Sequence, residues 1–191
     1  MADFVKSYNK LKVYEGVYSN NPVDKGGETY RGISRHYYPE WKGWELIEAA
    51  KEGDNFYNDL LGDSELAMMV KDFYRENYWN NFRGDDLANQ VIADELLELT
   101  VNLGLLDGIE IIQSVINLLN RNEKLYYDII VDGILGDETL KTLKISLNKN
   151  GERLFFNVMN FYQAMQYILI MEGTPDNELF IGWFKRVEVL K

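Results

Sequence analysis

Residues 14–34 read YEGVYSNNPVDKGGETYRGIS, and they break with the chain around them. Four of the 15 glycines and one of the three prolines fall here, so the segment is a turn-rich insertion and not the continuation of a helix. Just before it, Phe4, Val5, Tyr8, Leu11 and Tyr14 recur with a period near 3.6 and predict a helix over 2–14. Within it, Asn20-Asn21-Pro22 and Lys25-Gly26-Gly27 are turn chemistry flanking short runs, which predicts a hairpin or irregular loop. Glu15 therefore stands at a helix C-terminus, where the negative end of the macrodipole disfavours a carboxylate and favours its protonated form. A carboxylic acid kept protonated near neutral pH is what a general acid requires. If the loop folds back, Asp24 and Thr29 face Glu15 across a cleft, with glycines allowing close approach. The plainer alternative makes Glu15 a solvated helix end, Asp24 a turn cap and the glycines turn residues only. Spacing alone leaves both open.

Working outward, the chain is mainly helical. Residues 44–50 predict a short helix stopped by Gly53. Leu66, Met69, Val70, Phe73, Tyr74 and Trp79 predict a longer one across 65–82, capped by Asp63 or Ser64. Further helices are expected at about 86–103, 109–119, 137–148, 151–171 and 177–187. Outside 15–34, only residues 126–131 carry a strand pattern. No internal repeat or low-complexity tract is present. A soft boundary falls at Gly84-Asp85-Asp86.

Composition narrows the class. The 191 residues are 46% hydrophobic and 14% aromatic, enough to bury a core and too apolar for a disordered chain. Without cysteine there is no disulfide framework and no thiolate metal site. The formal net charge of −11 argues against non-specific nucleic-acid binding, which needs a basic surface. It also opposes approach to an anionic cell wall. Residues 154–171 carry no charge, the length of a marginal membrane span. However, Asn157, Asn160, Gln163 and Gln166 recur along one side, which favours a buried or groove-lining helix over stable membrane insertion.

Glu15-Gly16-Val17-Tyr18, Pro22, Asp24, Gly26-Gly27, Thr29 and Gly32-Ile33 resemble the opening signature of the glycoside hydrolase family 108 lysozymes. That signature runs roughly E-G-G-Y-x-x-x-P-x-D-x-G-G-x-T-x-x-G-I, and the chain follows it in register without a gap. Downstream, several stretches are similar to the family's predicted peptidoglycan-binding region. They are Tyr78-Trp79, Glu98, Val101-Asn102-x-Gly104, Ile112-Gln113, Asp132-Gly133-x-x-Gly136-x-x-Thr139 and Gly182-Trp183-x-x-Arg186-Val187. The resemblance covers about residues 5–188. It implies a lysozyme-like helical fold with a small β-hairpin or irregular loop near the N-terminus. It also implies a catalytic region over 1–85 and a helical peptidoglycan-binding region over 86–191, packed as one globular unit.

The implied activity is a lysozyme-type glycosidase, an N-acetylmuramidase cleaving the bond between N-acetylmuramic acid and N-acetylglucosamine. Glu15 occupies the family's catalytic glutamate position. By analogy with phage-type lysozymes, Asp24 stabilises an oxocarbenium-like centre or orients water, and Thr29 positions that water. Tyr18, Asn21, Tyr30, Asn102 and Trp183 are the expected glycan contacts. No metal or other cofactor is called for. The implied partner is the glycan strand of peptidoglycan, and relatives are described as secretion activators. With no Sec-type signal visible at the start, a wall-acting protein made in the bacterial cytoplasm is expected to need a holin-type export partner, another route, or lysis. The chain departs from the family pattern at Val17, where the family has glycine, at Glu98, where it usually has aspartate, and at Lys185, where it has asparagine. Val17 and Glu98 motivate the second reading, a non-catalytic peptidoglycan-binding or secretion-accessory protein. A third reading is a helical interaction module unrelated to glycans.

Other residues attract blander expectations. His36, the single histidine, has no partner at metal-ligand spacing and is expected to pack at a rim. Asp94, Glu95 and Glu98 lack EF-hand spacing and are expected on a solvated helix face. The 132–139 run reads equally as turn and helix cap or as a glycan contact. Of Trp41, Trp44, Trp79, Tyr126, Tyr127 and Trp183, one or two are expected to line a cleft and the rest to be core.

Overall fold

The computed structural model describes residues 1–12, 17–20, 27–173 and 175–190. The chain is mainly α-helical with a small sheet near its start, in agreement with the periodicity. It divides into two compact units, one of residues 8–77 and one of residues 1–7 with 78–191.

The first unit takes the end of α1 (Phe4–Leu11), strands β1 (Tyr18–Asn20), β2 (Glu28–Tyr30) and β3 (Ile33–Ser34), and helices α2 (Gly43–Lys51), α3 (Phe56–Gly62) and α4 (Ser64–Tyr74). The strands pair antiparallel in the order β1-β2-β3. Tyr18 lies opposite Tyr30, Ser19 opposite Thr29, and Thr29 opposite Ser34. The β2–β3 link is two residues long, and both Arg31 (φ 45°) and Gly32 (φ 82°) sit in the left-handed region. That twist matches the twist of the strands it joins. α3 was not expected, because seven residues give fewer than two turns of pattern. Asp63 caps α4, its carboxylate accepting from the Leu66 N–H at 2.9 Å. The core gathers Tyr30, Ile33, Trp44, Ile47, Leu60, Leu66, Val70 and Tyr74, all buried.

Where one α-helix is expected over 65–82, α4 ends at Tyr74 and a single π-helical turn, Arg75–Trp79, follows. Trp79 is wholly buried, and its ring lies against Gly84, where an added Cβ would come within 2.3 Å of the indole. The Trp79 indole N–H donates to Asp85 at 2.8 Å.

The second unit contains α5 (Gln90–Leu103), α6 (Leu105–Leu118), α7 (Asp137–Asn150), α8 (Glu152–Gly173) and a 3₁₀ segment, Pro175–Arg186. α5 starts where Asn89 accepts from the Ile92 N–H at 3.0 Å, and Gly104 (φ 103°) turns it directly into α6. α5 and α6 come close at Gly108, whose missing side chain admits the Thr100 backbone. Phe82, Ile92, Leu96, Ile112, Val115, Phe155, Phe156 and Met159 form the core.

Two expectations are corrected. Residues 126–131 form no strand; their backbone is held by side chains instead. Asn117 donates to the Ile129 carbonyl at 2.8 Å and accepts from its N–H at 2.9 Å, doing the work of a neighbouring strand. Glu95 and Glu98 are not solvated, being only 1% and 3% exposed. α5 packs against both α6 and α8, so its acidic side faces protein and not water. No helix among the described residues is long and apolar enough to cross a membrane.

Candidate functional site

The described part of the signature segment lies on β1, β2 and the β2–β3 turn. Glu15, Asn21 and Asp24 lie outside the described residues, as do Gly16, Pro22 and Gly26. What is described is the frame on either side of them. α1 ends at the buried Leu11, and the chain is next described at Val17, whose carbonyl accepts from the Arg31 N–H at 2.9 Å. Val17 is not among the residues with positive φ, so its β-branched side chain is accommodated without strain where the family has glycine.

Tyr18 and Thr29 lie on neighbouring strands of this frame. The Tyr18 hydroxyl donates to Glu28 at 3.0 Å, and its ring meets Phe56 edge-on at 4.8 Å. Burial, together with the bond to the Glu28 carboxylate, pushes the Tyr18 phenol above its usual value. Thr29 is half-buried in the central strand and donates to the Gly27 carbonyl at 3.3 Å, which fixes its hydroxyl. Tyr30 is wholly buried, and its hydroxyl donates to the Leu60 carbonyl at 3.2 Å. That leaves no open ring face for a sugar, so Tyr30 supports the hairpin from beneath. Tyr74 ties the β2–β3 turn to α4, donating to the Arg31 carbonyl at 2.7 Å.

The sequence reading passed over Glu28, which organises the same strand. Its carboxylate accepts from Lys51 at 2.7 Å, from Arg35 at 2.8 Å and from Tyr18. Arg35 and Lys51 also share Glu48 on α2, so two cations and two carboxylates bind the hairpin to that helix. Burial by itself would raise the Glu28 carboxyl, but the bonds from Lys51, Arg35 and Tyr18 outweigh it and hold it below the usual carboxylate range. The one available signal was the Glu48-x-x-Lys51 pair at helix spacing, which is common on solvated helices.

An open cleft of about 320 Å³ lies between residues 37–41 and α4, lined by Tyr37, Tyr38, Pro39, Trp41, Phe73 and Asn77. Tyr37 is exposed and Tyr38 and Trp41 are half-buried, so these aromatics reach the opening, whereas Trp44 is core. His36 lies edge-on to Tyr37 at 5.0 Å, the rim position expected of it.

Asn102 and Trp183 belong to the second unit. Asn102 is near the end of α5, half-buried, with its Nδ2 buried and unbonded among the described residues. Trp183 is half-buried against Tyr167 at 5.5 Å. Burial pushes the Tyr167 phenol up to about 12, opposed by the Arg186 charge and reinforced by Glu98 and Glu95. The 132–139 run is structural. Gln113, wholly buried, accepts from the N–H groups of Asp132 and Gly133 and donates to the Asp132 carboxylate, the Ile134 carbonyl and Thr139. Among the described residues no cluster of three His, Asp or Glu side chains gathers to hold a metal ion.

Comparison with known proteins fits this arrangement. Residues 8–104, just over half of the chain, match the family model described as Glycosyl hydrolase 108, and residues 107–188 match one described as Predicted Peptidoglycan domain. No curated protein matches the sequence significantly. Among solved structures, SagA of Brucella abortus is similar over 96% of this chain and 88% of its own, with a TM-score of 0.63 and 23% identity, a likeness of fold. The chain belongs to the glycosyl hydrolase 108 family, with a predicted peptidoglycan domain following, and its role is that of a peptidoglycan-related glycosidase or binding protein.

Proposed function

We propose that the protein is an N-acetylmuramidase that cleaves the β-1,4 bond between N-acetylmuramic acid and N-acetylglucosamine. Glu15 is the general acid that protonates the glycosidic oxygen. Asp24 stabilises the oxocarbenium-like centre or orients water, and Thr29 positions that water. Residues 1–85 form the catalytic region and 86–191 the wall-binding region. The observation that carries the reading is the family match over residues 8–104, inside which Glu15, Asp24 and Thr29 stand in signature register. The described frame supports it: Thr29 is held on the central strand of the sheet, and that strand is pinned by Glu28, Tyr30 and Tyr74. Rigid support of this kind is what a positioned general acid and its partners need. Tyr18, Asn21, Asn102 and Trp183 are the glycan contacts on this reading, and Tyr30 supports the hairpin that carries Tyr18. The enzyme reaches the wall after holin-type or other export, or on lysis.

Purified peptidoglycan is the test substrate. New muramic-acid reducing ends are expected with the wild type, and Glu15→Gln is expected to lower the rate by roughly 10²–10⁴-fold. Absence of such ends with the wild type, or unchanged release with Glu15→Gln, overturns the assignment. The match of residues 107–188 favours a second reading, wall binding without turnover, which pelleting with insoluble wall material separates from the first.

A further inference from the structure

α8 turns its amides inward and its hydrocarbon outward. Asn160 and Gln163 are wholly buried, and Asn157 is half-buried. Asn157 holds Leu190 from both sides, donating to its carbonyl at 3.1 Å and accepting from its N–H at 2.8 Å. Asn160 accepts from the Glu188 N–H at 2.6 Å, and Gln163 donates to the Tyr167 hydroxyl at 3.1 Å. The polar side of the helix is thus used internally, much of it to tether the chain that follows the 3₁₀ segment.

The opposite side is apolar and open. Leu154, Phe161, Met165, Ile168 and Leu169 are between 45% and 55% exposed, with Val158 half-buried among them. At the helical repeat, these six fall on one stripe about 100° wide. Between Arg153 and Glu172 the helix carries no charge. A surface helix of a monomer normally places its charges on this side, and a continuous exposed apolar patch marks a contact surface.

We propose that this stripe is a self-association surface on which α8 packs antiparallel against α8 of a second copy. The 3-4-3 spacing of Val158, Phe161, Met165 and Ile168 makes a coiled-coil-like seam. Its centre lies near Gln163, so an antiparallel two-fold places Phe161 against Met165 of the second copy and Val158 against Ile168. The same register brings Arg153 beside Glu172 of the second copy, twice per dimer. Both residues are exposed and form no ion pair among the described residues. A parallel pair would stack like charges and align the helix dipoles unfavourably. The stripe offers on the order of 600 Å² per copy, about 1,200 Å² in all, which reaches the lower end of specific interfaces. A lipid surface fits less well. Interfacial helices are rich in Lys and Arg, whereas α8 has Arg153 alone and the chain carries −11.

Sedimentation of the full chain tests this. The wild type is expected to dimerise with a dissociation constant in the micromolar range, and Met165→Glu to be monomeric with unchanged far-UV circular dichroism. Arg153→Glu is expected to weaken the dimer roughly threefold or more, and adding Glu172→Arg to restore it. A wild type monomeric up to about 200 µM overturns the proposal, as does a Met165→Glu variant that dimerises equally well. Failure of the double charge swap to restore association overturns the antiparallel register. A monomer that pellets with lipid vesicles makes the occupant a membrane and overturns the second copy. None of these outcomes depends on glycosidase activity.

Discussion

Gln113 on α6 and Asp132 in the segment before α7 hold each other by two bonds, the Gln113 amide donating to the Asp132 carboxylate at 2.8 Å and accepting from the Asp132 N–H at 3.0 Å. Gln113 spends its remaining capacity on Gly133, Ile134 and Thr139. The Asp132 carboxyl lies below its usual range because Gln113 and then the Ile134 N–H bond its charged form. A run that read equally as glycan contact is thereby a structural brace.

Gln113→Ala is therefore expected to destabilise the protein by about 1–2 kcal/mol, since it removes several part-buried hydrogen bonds at once. Gln113→Glu should cost at least as much, because it replaces the donor facing the Asp132 carboxylate with a second carboxylate. Urea unfolding measures both. A loss under about 0.5 kcal/mol for Gln113→Ala would show that the brace contributes nothing.

Acid sensitivity should trace to Glu28. Its folded-state carboxyl lies below the ordinary 4.5, so it binds its proton less readily folded than unfolded. The stability it contributes is complete above that ordinary value and is lost as pH falls through the lower folded-state value. Glu48, held down by Arg35 and then Lys51, acts in the same direction. Glu28→Gln should therefore lower the melting temperature at pH 7 and narrow the gap to wild type below pH about 4. A gap that stays constant across that range would contradict the linkage.

The β2–β3 turn should be intolerant at Gly32. Its φ of 82° suits glycine, and Gly32→Val is expected to cost about 1–2 kcal/mol through backbone strain. Arg31→Asn, at φ 45°, should be neutral or mildly stabilising, because asparagine visits this region more easily. Thermal unfolding of the two variants should move in opposite directions, or only the glycine variant should move.

Gly108 should be intolerant for a different reason. A Cβ there would stand 2.8 Å from Thr100 Cγ2, 2.9 Å from its backbone N and 3.0 Å from its Cα. Gly108→Ala is expected to destabilise by about 1–3 kcal/mol, since α5 and α6 must separate. Thr100→Ser in the same chain should restore only part of this, because the backbone contact remains. Full restoration would place the whole clash on the methyl group.

Much of the fold was legible in the sequence because helix periodicity and turn chemistry are local. Apart from α3, the helices after residue 43, together with the turn-rich insertion and the Asp63 cap, follow from neighbours within a few positions. The order Glu15, Asp24, Thr29 is likewise a matter of chain spacing alone. Glu28 escaped notice because its partners, Tyr18, Arg35 and Lys51, lie on β1, just after β3 and on α2, and meet only when the hairpin docks on that helix.

Local pattern also showed that α8 has an amide side and a hydrocarbon side. Which side is covered was decided by the tertiary structure, through α5 and α6, which pack on α8, and through the returning 187–190 segment, which bonds Asn157 and Asn160. The same packing buried Glu95 and Glu98, which sequence alone places as readily in water. Periodicity is a property of a helix by itself, whereas burial is a property of its neighbours, and those are brought together by residues far apart in the chain.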